Sequence, residues 1–218
     1  MNIYGAIVAG EGQVPSYPKP AYVIRVSPNF PNSDTRLTYQ TINLALSKAN
    51  ELASLSTPVL IEVYDGEFEE DIVVGRYVII DFKNARLVTT SSGSPAVTLN
   101  GGMVRHLGIG VTSAKDPLIL VNGGTLDVIM IPDPSHIGIS TTGIRVTSGS
   151  GLIGRYVFVS ACQTSLIVEA NANANFHSSS FGDIEANGSL SLSFCEITGQ
   201  LTGSGSVNLH SSYIKRQK

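Results

Sequence analysis

The stretch SLIVEANANANFHSSSFGDIEANGSLSLSFCEITGQLTGSGSVNLHSSYI, residues 165–214, repeats one pattern three times. A short apolar strand ends at a polar or glycine turn, and a second strand follows. In the first strands, residues two apart share one face, giving the inward pairs Leu166/Val168, Ile184/Ala186 and Leu201/Gly203. Working backward, the same element recurs as Ile144/Val146, Ile119/Val121, Val97/Leu99 and Ile72/Val74. From Ile72 onward the first members lie 25, 22, 25, 22, 18 and 17 residues apart. A second series keeps step with the first: MVRHLGIGV from Met103, TLDVIMI from Thr125, LIGRYVFV from Leu152, NANFHSSSF from Asn173, LSLSFCEI from Leu190 and VNLHSSYI from Val207.

Such intervals match one turn of a three-sided right-handed parallel β-helix, an all-β solenoid of about seven coils. A single coil cannot bury its inner face, so like residues should stack into ladders. Phe176, Leu192 and Leu209 should form one ladder, and Phe181, Ile197 and Ile214 another. Asn100, Gly101, Asn122, Gly123, Asn187 and Gly188 should occupy tight or left-handed corners.

An open end of the stack needs cover. Residues 38–55 are expected to supply a capping helix, with Thr38 as N-cap and Tyr39, Ile42, Leu46, Ala49 and Leu52 as its apolar stripe. The segment PVLIEVYDGEF should then form a buried strand ending at a turn on Asp65 and Gly66. Residues 1–20, with Pro15, Pro18, Pro20 and little periodicity, read as an extended arm ahead of a single domain, residues 21–218. Functional loops are expected at residues 91–94, 112–116 and 132–142, where the coils are wide.

Composition narrows the function classes. Only 14% of the 218 residues are charged, and Gly, Ser, Thr and Asn fill most polar positions after Leu87. A formal charge of −3 offers no general attraction to phosphate backbones, and the one basic cluster is Lys215, Arg216 and Lys218, so nucleic acid is not an expected partner. No apolar run reaches the roughly 20 residues that span a bilayer, and the N-terminus lacks the pattern of a signal peptide, so a soluble protein without membrane contact is expected. Cys162 and Cys195 lie in separate apolar strands, as small buried side chains do.

The order LTYQTINLAL, then TPVLIEVYDGEFEEDIVV, resembles the opening of pectin methylesterases and other members of the pectate-lyase-like β-helix superfamily. There a T-I-x-x-A helix precedes a strand and a G-x-[YF]-x-E turn; the likeness covers residues 36–74. It implies the fold's entrance, which catalytic and non-catalytic members share. The family's enzyme motifs are missing: CQTSL at Cys162 lacks the aspartate of the esterase Q-D-T-L segment, and the N-T-D, G-H-G and R-I-K segments of polygalacturonases do not occur. Asp127 near Arg105 or Arg155 comes closest to the acids and base of a lyase.

The remaining candidates have bland alternatives. Glu67, Glu69, Glu70 and Asp71 could hold a cation, although a solvated turn is the ordinary state of such a run. His177 and His210 should stack two coils apart around Ser193, with Cys195 on the same face; a zinc site would need more ligands, so a polar ladder is expected. Asp183 and Glu185 share strand parity, and with Glu196 they are the last acids available for a glycosidase pair. Tyr156, Phe158 and Tyr213 are expected in the core or an interface, and His106 and His136 have no evident partner. No catalytic residue, metal or cofactor is expected. These features point to a non-enzymatic virion protein, a head decoration, spike or tail component. It would assemble as a parallel homotrimer and touch other virion proteins through the N-terminal arm. The alternative is a carbohydrate-active or glycan-binding module, with at most a weak glycan contact.

Overall fold

The computed structural model describes residues 19–89, 93–111, 115–131, 142–160 and 162–215. Most of the expected arm and loops, His136, Arg216 and Lys218 lie outside the described residues. β1 (Tyr22–Val26) and β2 (Thr38–Tyr39) precede α1 (Ile42–Leu52). Then come β3 (Val59–Phe68), β4 (Ile72–Val74), β5 (Val78–Thr89), β6 (Val97–Leu99), β7 (Met103–Val111) and β8 (Ile119–Val121). β9 (Gly124–Ile131), β10 (Thr142–Val146), β11 (Gly151–Val159), β12 (Thr164–Val168), β13 (Asn173–His177) and β14 (Ser180–Phe181) follow. The last repeats hold β15 (Ile184–Ala186), β16 (Ser189–Ser193), β17 (Glu196–Ile197), β18 (Leu201–Thr202), β19 (Ser206–His210) and β20 (Tyr213–Ile214).

The protein is therefore mostly β, with parallel sheets. Successive repeats add one strand to each of two sheets. The first sheet has thirteen strands along the path β2-β1-β3-β5-β7-β9-β11-β13-β16-β19, with β14, β17 and β20 continuing beside β11. The second has seven, in the order β4-β6-β8-β10-β12-β15-β18. The inward pairs read from the sequence face their counterparts across the second sheet from Ile72↔Val97 to Ile184↔Leu201, except that Gly203 lies beyond the end of β18 and is not paired with Ala186 there. All are buried except the last, Leu201 and Gly203. Both expected ladders hold, Phe176↔Leu192↔Leu209 and Phe181↔Ile197↔Ile214. One continuous apolar cluster runs from Ile24 to Ile197.

All six expected corner residues, Gly188 among them, lie at bends, although only two are left-handed. Gly101 and Gly123 do take left-handed φ values of 89° and 113°, but Asn100, Asn122 and Asn187 do not. Instead the asparagines stack by hydrogen bonds: Asn122 Nδ2 donates to Asn100 Oδ1 at 2.8 Å, and Asn187 Oδ1 accepts from the Ser204 amide at 3.2 Å. The left-handed column lies in the first sheet, at Asp65, Asn84, His106, Val128, Tyr156, Ser178, Phe194 and Ser211, with φ between 36° and 58°. One such residue per repeat bends the long strand and sets two adjacent side chains outward before alternation resumes. Val128 is β-branched, for which this conformation is costly. The expected turn at Asp65 and Gly66 is this bend, and β3 runs on through it to Phe68.

The helix is shorter than residues 38–55. It covers Ile42–Leu52, and its N-cap is Thr41, whose side chain accepts from the Leu44 amide. Thr38 is withdrawn from capping because it pairs with Arg25 in β2, and its hydroxyl donates to the Pro31 carbonyl at 2.8 Å. α1 buries Ile42, Ala45, Leu46 and Ala49, and it lies against β1, β2, β3 and β4. Its first amides are held from outside the helix, since both carboxylate oxygens of Glu70 accept, from Ile42 N and Asn43 N at 2.8 Å each. The carboxylate satisfies two orphan donors and faces the positive end of the helix. Glu70→Ala should cost about 1–2 kcal/mol in urea unfolding, and Glu70→Gln less. Equal stability of wild type and Glu70→Ala would show that this contact contributes nothing.

Candidate functional site

The parallel register lines up one outward residue from each repeat, just before or at the bend of the first sheet. Arg25 pairs with Glu62, Glu62 with Asp81, Asp81 with Arg105, Arg105 with Asp127, and Asp127 with Arg155. His177, Ser193 and His210 continue the row. The result is a ladder of mostly alternating charge whose carboxylates lie deepest: the Asp81 and Asp127 side chains are 4% and 9% exposed. Asp127 Oδ2 lies 3.1 Å from an Arg155 guanidinium nitrogen and 3.7 Å from Arg105 Nε. Asp81 Oδ2 holds Lys83 Nζ at 2.8 Å, and its Oδ1 meets His106 Nδ1 at 2.6 Å. Asp127, Arg105 and Arg155 do come together, but as mutually neutralised pairs. His106 gains the partner that the sequence did not reveal. Asp81 precedes it by 25 residues, the same interval that separates the first two inward pairs.

A step interrupts the row. β5 takes five residues from Asp81 to Arg86, whereas its neighbour β7 takes three from Arg105 to Gly108, and the register shifts there. Lys83 and Asn84 therefore overhang the bend at His106. Beyond the bend, Leu107 and Ile109 point inward at 1% and 2% exposure, which leaves Gly108 and Gly110 on the outer face. Gly108 lies in register between Arg86 and Met130. Arg86 in turn pairs with Glu67.

Further along, the outer face turns apolar. Met130 is 51% exposed, Tyr156 49%, Phe158 44%, Phe194 57% and Tyr213 57%. Tyr156 and Phe158 share β11, and Phe158 is in register with Met130. The expectation of a core position for Tyr156, Phe158 or Tyr213 is thus overturned, because the left-handed residue of each repeat turns outward. The same bend corrects the placement of Cys195. It follows left-handed Phe194 and points inward at 1% exposure, while His177 and His210 stay outside, on either side of the Phe194 ring at centroid distances of 5.2 and 6.0 Å. Burial pushes the Cys162 thiol up to about 11 and raises that of Cys195 as well.

The acidic run at Glu67–Asp71 separates into unrelated contacts. Glu67 pairs with Arg86, Glu70 holds α1, and Asp71 pairs with fully buried Lys115 at 2.8 Å. Lys115 Nζ also donates to the Ser94 carbonyl at 2.6 Å. Asp183 and Glu185 do not act as a pair either: Asp183 Oδ1 accepts from the Gln200 amide, and Glu185 Oε1 from Asn187 Nδ2, both at 2.7 Å. Burial and a hydrogen bond to Glu196 raise the Tyr213 hydroxyl. Among the described residues, no three His, Cys, Asp or Glu side chains converge as a metal site, and no helix is long and apolar enough to cross a membrane. No family model, curated protein or solved structure matches the chain.

Proposed function

We propose that the chain is a right-handed parallel β-helix of the pectate-lyase-like kind, closed at its N-terminal end by α1, and that it serves as a structural virion component. It works by protein–protein assembly as a parallel homotrimer, with residues 1–20 as the attachment arm. The observation that carries this reading is the row of exposed large side chains, Met130, Tyr156, Phe158, Phe194 and Tyr213, along one outer face. Met130 and Phe158 are register partners, and Tyr156, Phe194 and Tyr213 lie on the same outer side with Ser178, Ser180 and Glu196 between them; exposed apolar surface gathered over several repeats marks interaction sites, and symmetric closure is the usual outcome of self-association. The absence of charge between Glu196 and Lys215 adds a neutral, pairing-competent last repeat.

Light scattering of the full chain at micromolar concentration should give three times the mass of one chain, and the double variant Tyr156→Ser/Phe158→Ser should give a single chain. A wild-type monomer would overturn the preformed trimer. A glycan-binding reading draws on one specific arrangement, Tyr156 beside Arg155 and Asp127, since aromatic rings next to charged groups suit sugars. Product release from any of a panel of polysaccharides would sink the structural reading in favour of that one.

A further inference from the structure

We infer that Asn122 is a modification site at which the folded chain deamidates spontaneously, singled out by the fold from two other Asn-Gly corners. The three pairs, Asn100 with Gly101, Asn122 with Gly123 and Asn187 with Gly188, offer the same chemistry in sequence. The glycine backbone nitrogen gives up its proton and attacks the asparagine Cγ; a C–N bond forms, the Cγ–Nδ2 bond breaks, and ammonia leaves with a proton from water. Water then opens the cyclic imide at either carbonyl, giving aspartate or isoaspartate. One water is consumed for each ammonia released, so no other reactant is required. Glycine favours the attack because no Cβ shields its nitrogen.

The three nitrogens are not equally available. Gly101 N donates to the Gly123 carbonyl at 2.6 Å, and Gly188 N to the Val168 carbonyl at 3.1 Å. Among the described residues, Gly123 N donates to no acceptor. Access differs in the same sense. A Cβ built on Gly101 would meet Arg76 Cγ at 2.7 Å, so that side chain roofs the first corner, and one on Gly188 would run into the Glu169 and Ala172 carbonyls. On Gly123 it would meet nothing among the described residues closer than the Gly151 carbonyl at 3.9 Å. Asn122 is itself exposed. Its Oδ1 accepts from the Thr147 hydroxyl, at 2.9 Å, where negative charge collects during the attack; that hydroxyl also lies 3.1 Å from the Val121 carbonyl. Asn100 Oδ1 and Asn187 Oδ1 have donors of their own, Asn122 Nδ2 and the Ser204 amide, so the glycine nitrogen is what separates the three sites.

The product weakens the corner in which it forms. Either carboxylate lacks the Nδ2 that donates to Asn100 Oδ1 at 2.8 Å, and it sets an anion against that oxygen. Isoaspartate also lengthens the main chain by one carbon, next to Gly124, where even a Cβ would strike the Gly102 carbonyl and Leu99. The corner leads into β9 at the end of that strand opposite Met130, so the site stands or falls apart from the oligomeric state. To test it, the full chain is kept in warm neutral buffer, native or unfolded in urea, and aspartate and isoaspartate at each of the three positions are followed by peptide mapping with mass spectrometry. The ratio of native to unfolded rate should be about tenfold larger at Asn122 than at Asn100 or Asn187, the factor that one backbone hydrogen bond on the attacking nitrogen supplies. The modified fraction, separated by its added negative charge, should unfold at lower urea than the unmodified one. The inference is overturned if the ratio at Asn122 is no larger than at the other two positions. A modified fraction as stable as the unmodified chain overturns the weakening of the corner.

Discussion

Phe176→Ala should destabilise the protein by about 3–5 kcal/mol, and Gly154→Ala by about 1–3, although the second change only adds a methyl group. The two residues form one packing unit. Gly154 pairs with Phe176 on one side and with Leu126 on the other, so the column reads Leu126, Gly154, Phe176, Leu192. Phe176 is 0% exposed, and its ring meets that of Phe181 edge-on at 4.8 Å. The ring lies over Gly154 so closely that any Cβ there would enter it. A stack of parallel strands holds neighbouring backbones about 4.8 Å apart, which leaves no freedom to move the strand away. One large residue in the column therefore requires one absent side chain beside it. Removing the ring leaves a cavity lined by Leu126, Leu192 and Phe181, and filling the glycine drives the ring off its position. In Gly154→Ala/Phe176→Leu the smaller side chain makes room, so the double variant should be more stable than the sum of the single changes by about 0.5–3 kcal/mol. Urea midpoints with slopes compared across the set measure this. Strict additivity would mean that the ring does not depend on the glycine.

Gly154 also illustrates what a sequence conceals. The inward pairs were legible because alternation inside a strand is local and each interval is short, and the registers from Ile72 to Leu201 follow them residue for residue. The second strand series was legible for the same reason. β1, β2 and β5 were not read as strands: β1 and β2 are short, and β5 breaks its alternation at Lys83 and Asn84, two adjacent residues that both turn outward. Thr38 and Thr41 are equally good caps by type, and pairing of Thr38 with Arg25, thirteen residues earlier, decides between them.

The outer face was the least legible part. Its geometry depends on left-handed φ at residues such as Val128, Tyr156 and Phe194, which carry no compositional sign of it. Without that bend, parity places Cys195 beside His177 and His210; with it, Cys195 turns into the core. The partners of the charge ladder lie 19 to 37 residues apart, from Glu62 and Asp81 to Arg25 and Glu62. They can be matched only after the length of each repeat is known. The step at β5 arises because two adjacent repeats differ in length on that side, so a reading that assumes equal turns misses both it and the His106–Asp81 contact.

Asp127→Ala should cost about 2–4 kcal/mol, well above the effect of removing any exposed acid. Its side chain is 9% exposed and lies between Arg155, at 19%, and Arg105, at 32%. Replacement by alanine leaves two guanidinium groups facing each other across one strand, partly desolvated and without the charge between them. The full penalty of a buried ion that loses a partner is reduced here because both arginines reach water and Arg105 keeps Asp81 Oδ2 at 3.8 Å. Glu67 offers the control: its pair with Arg86 is more than half exposed on both sides, so Glu67→Gln should change stability by less than about 1 kcal/mol. The ladder differs from such a pair in a second way. Taking all three charges away together, as Arg105→Leu/Asp127→Leu/Arg155→Leu, should cost less than Asp127→Ala alone, because no guanidinium is left facing another across β9 and three apolar side chains pack side by side on β7, β9 and β11. Urea unfolding at low and at high salt separates the cases: screening should weaken the Glu67 contact and leave most of the Asp127 effect in place. If Asp127→Ala proves no worse than Glu67→Gln, the ladder is a solvated row of surface charges. If the triple variant is the least stable of all, the ladder itself supplies net stability. The expected order, with the single change worst, would assign the alternating charges a different task, that of penalising any slip between repeats of unequal length, since a shift of one residue takes each carboxylate away from its arginine.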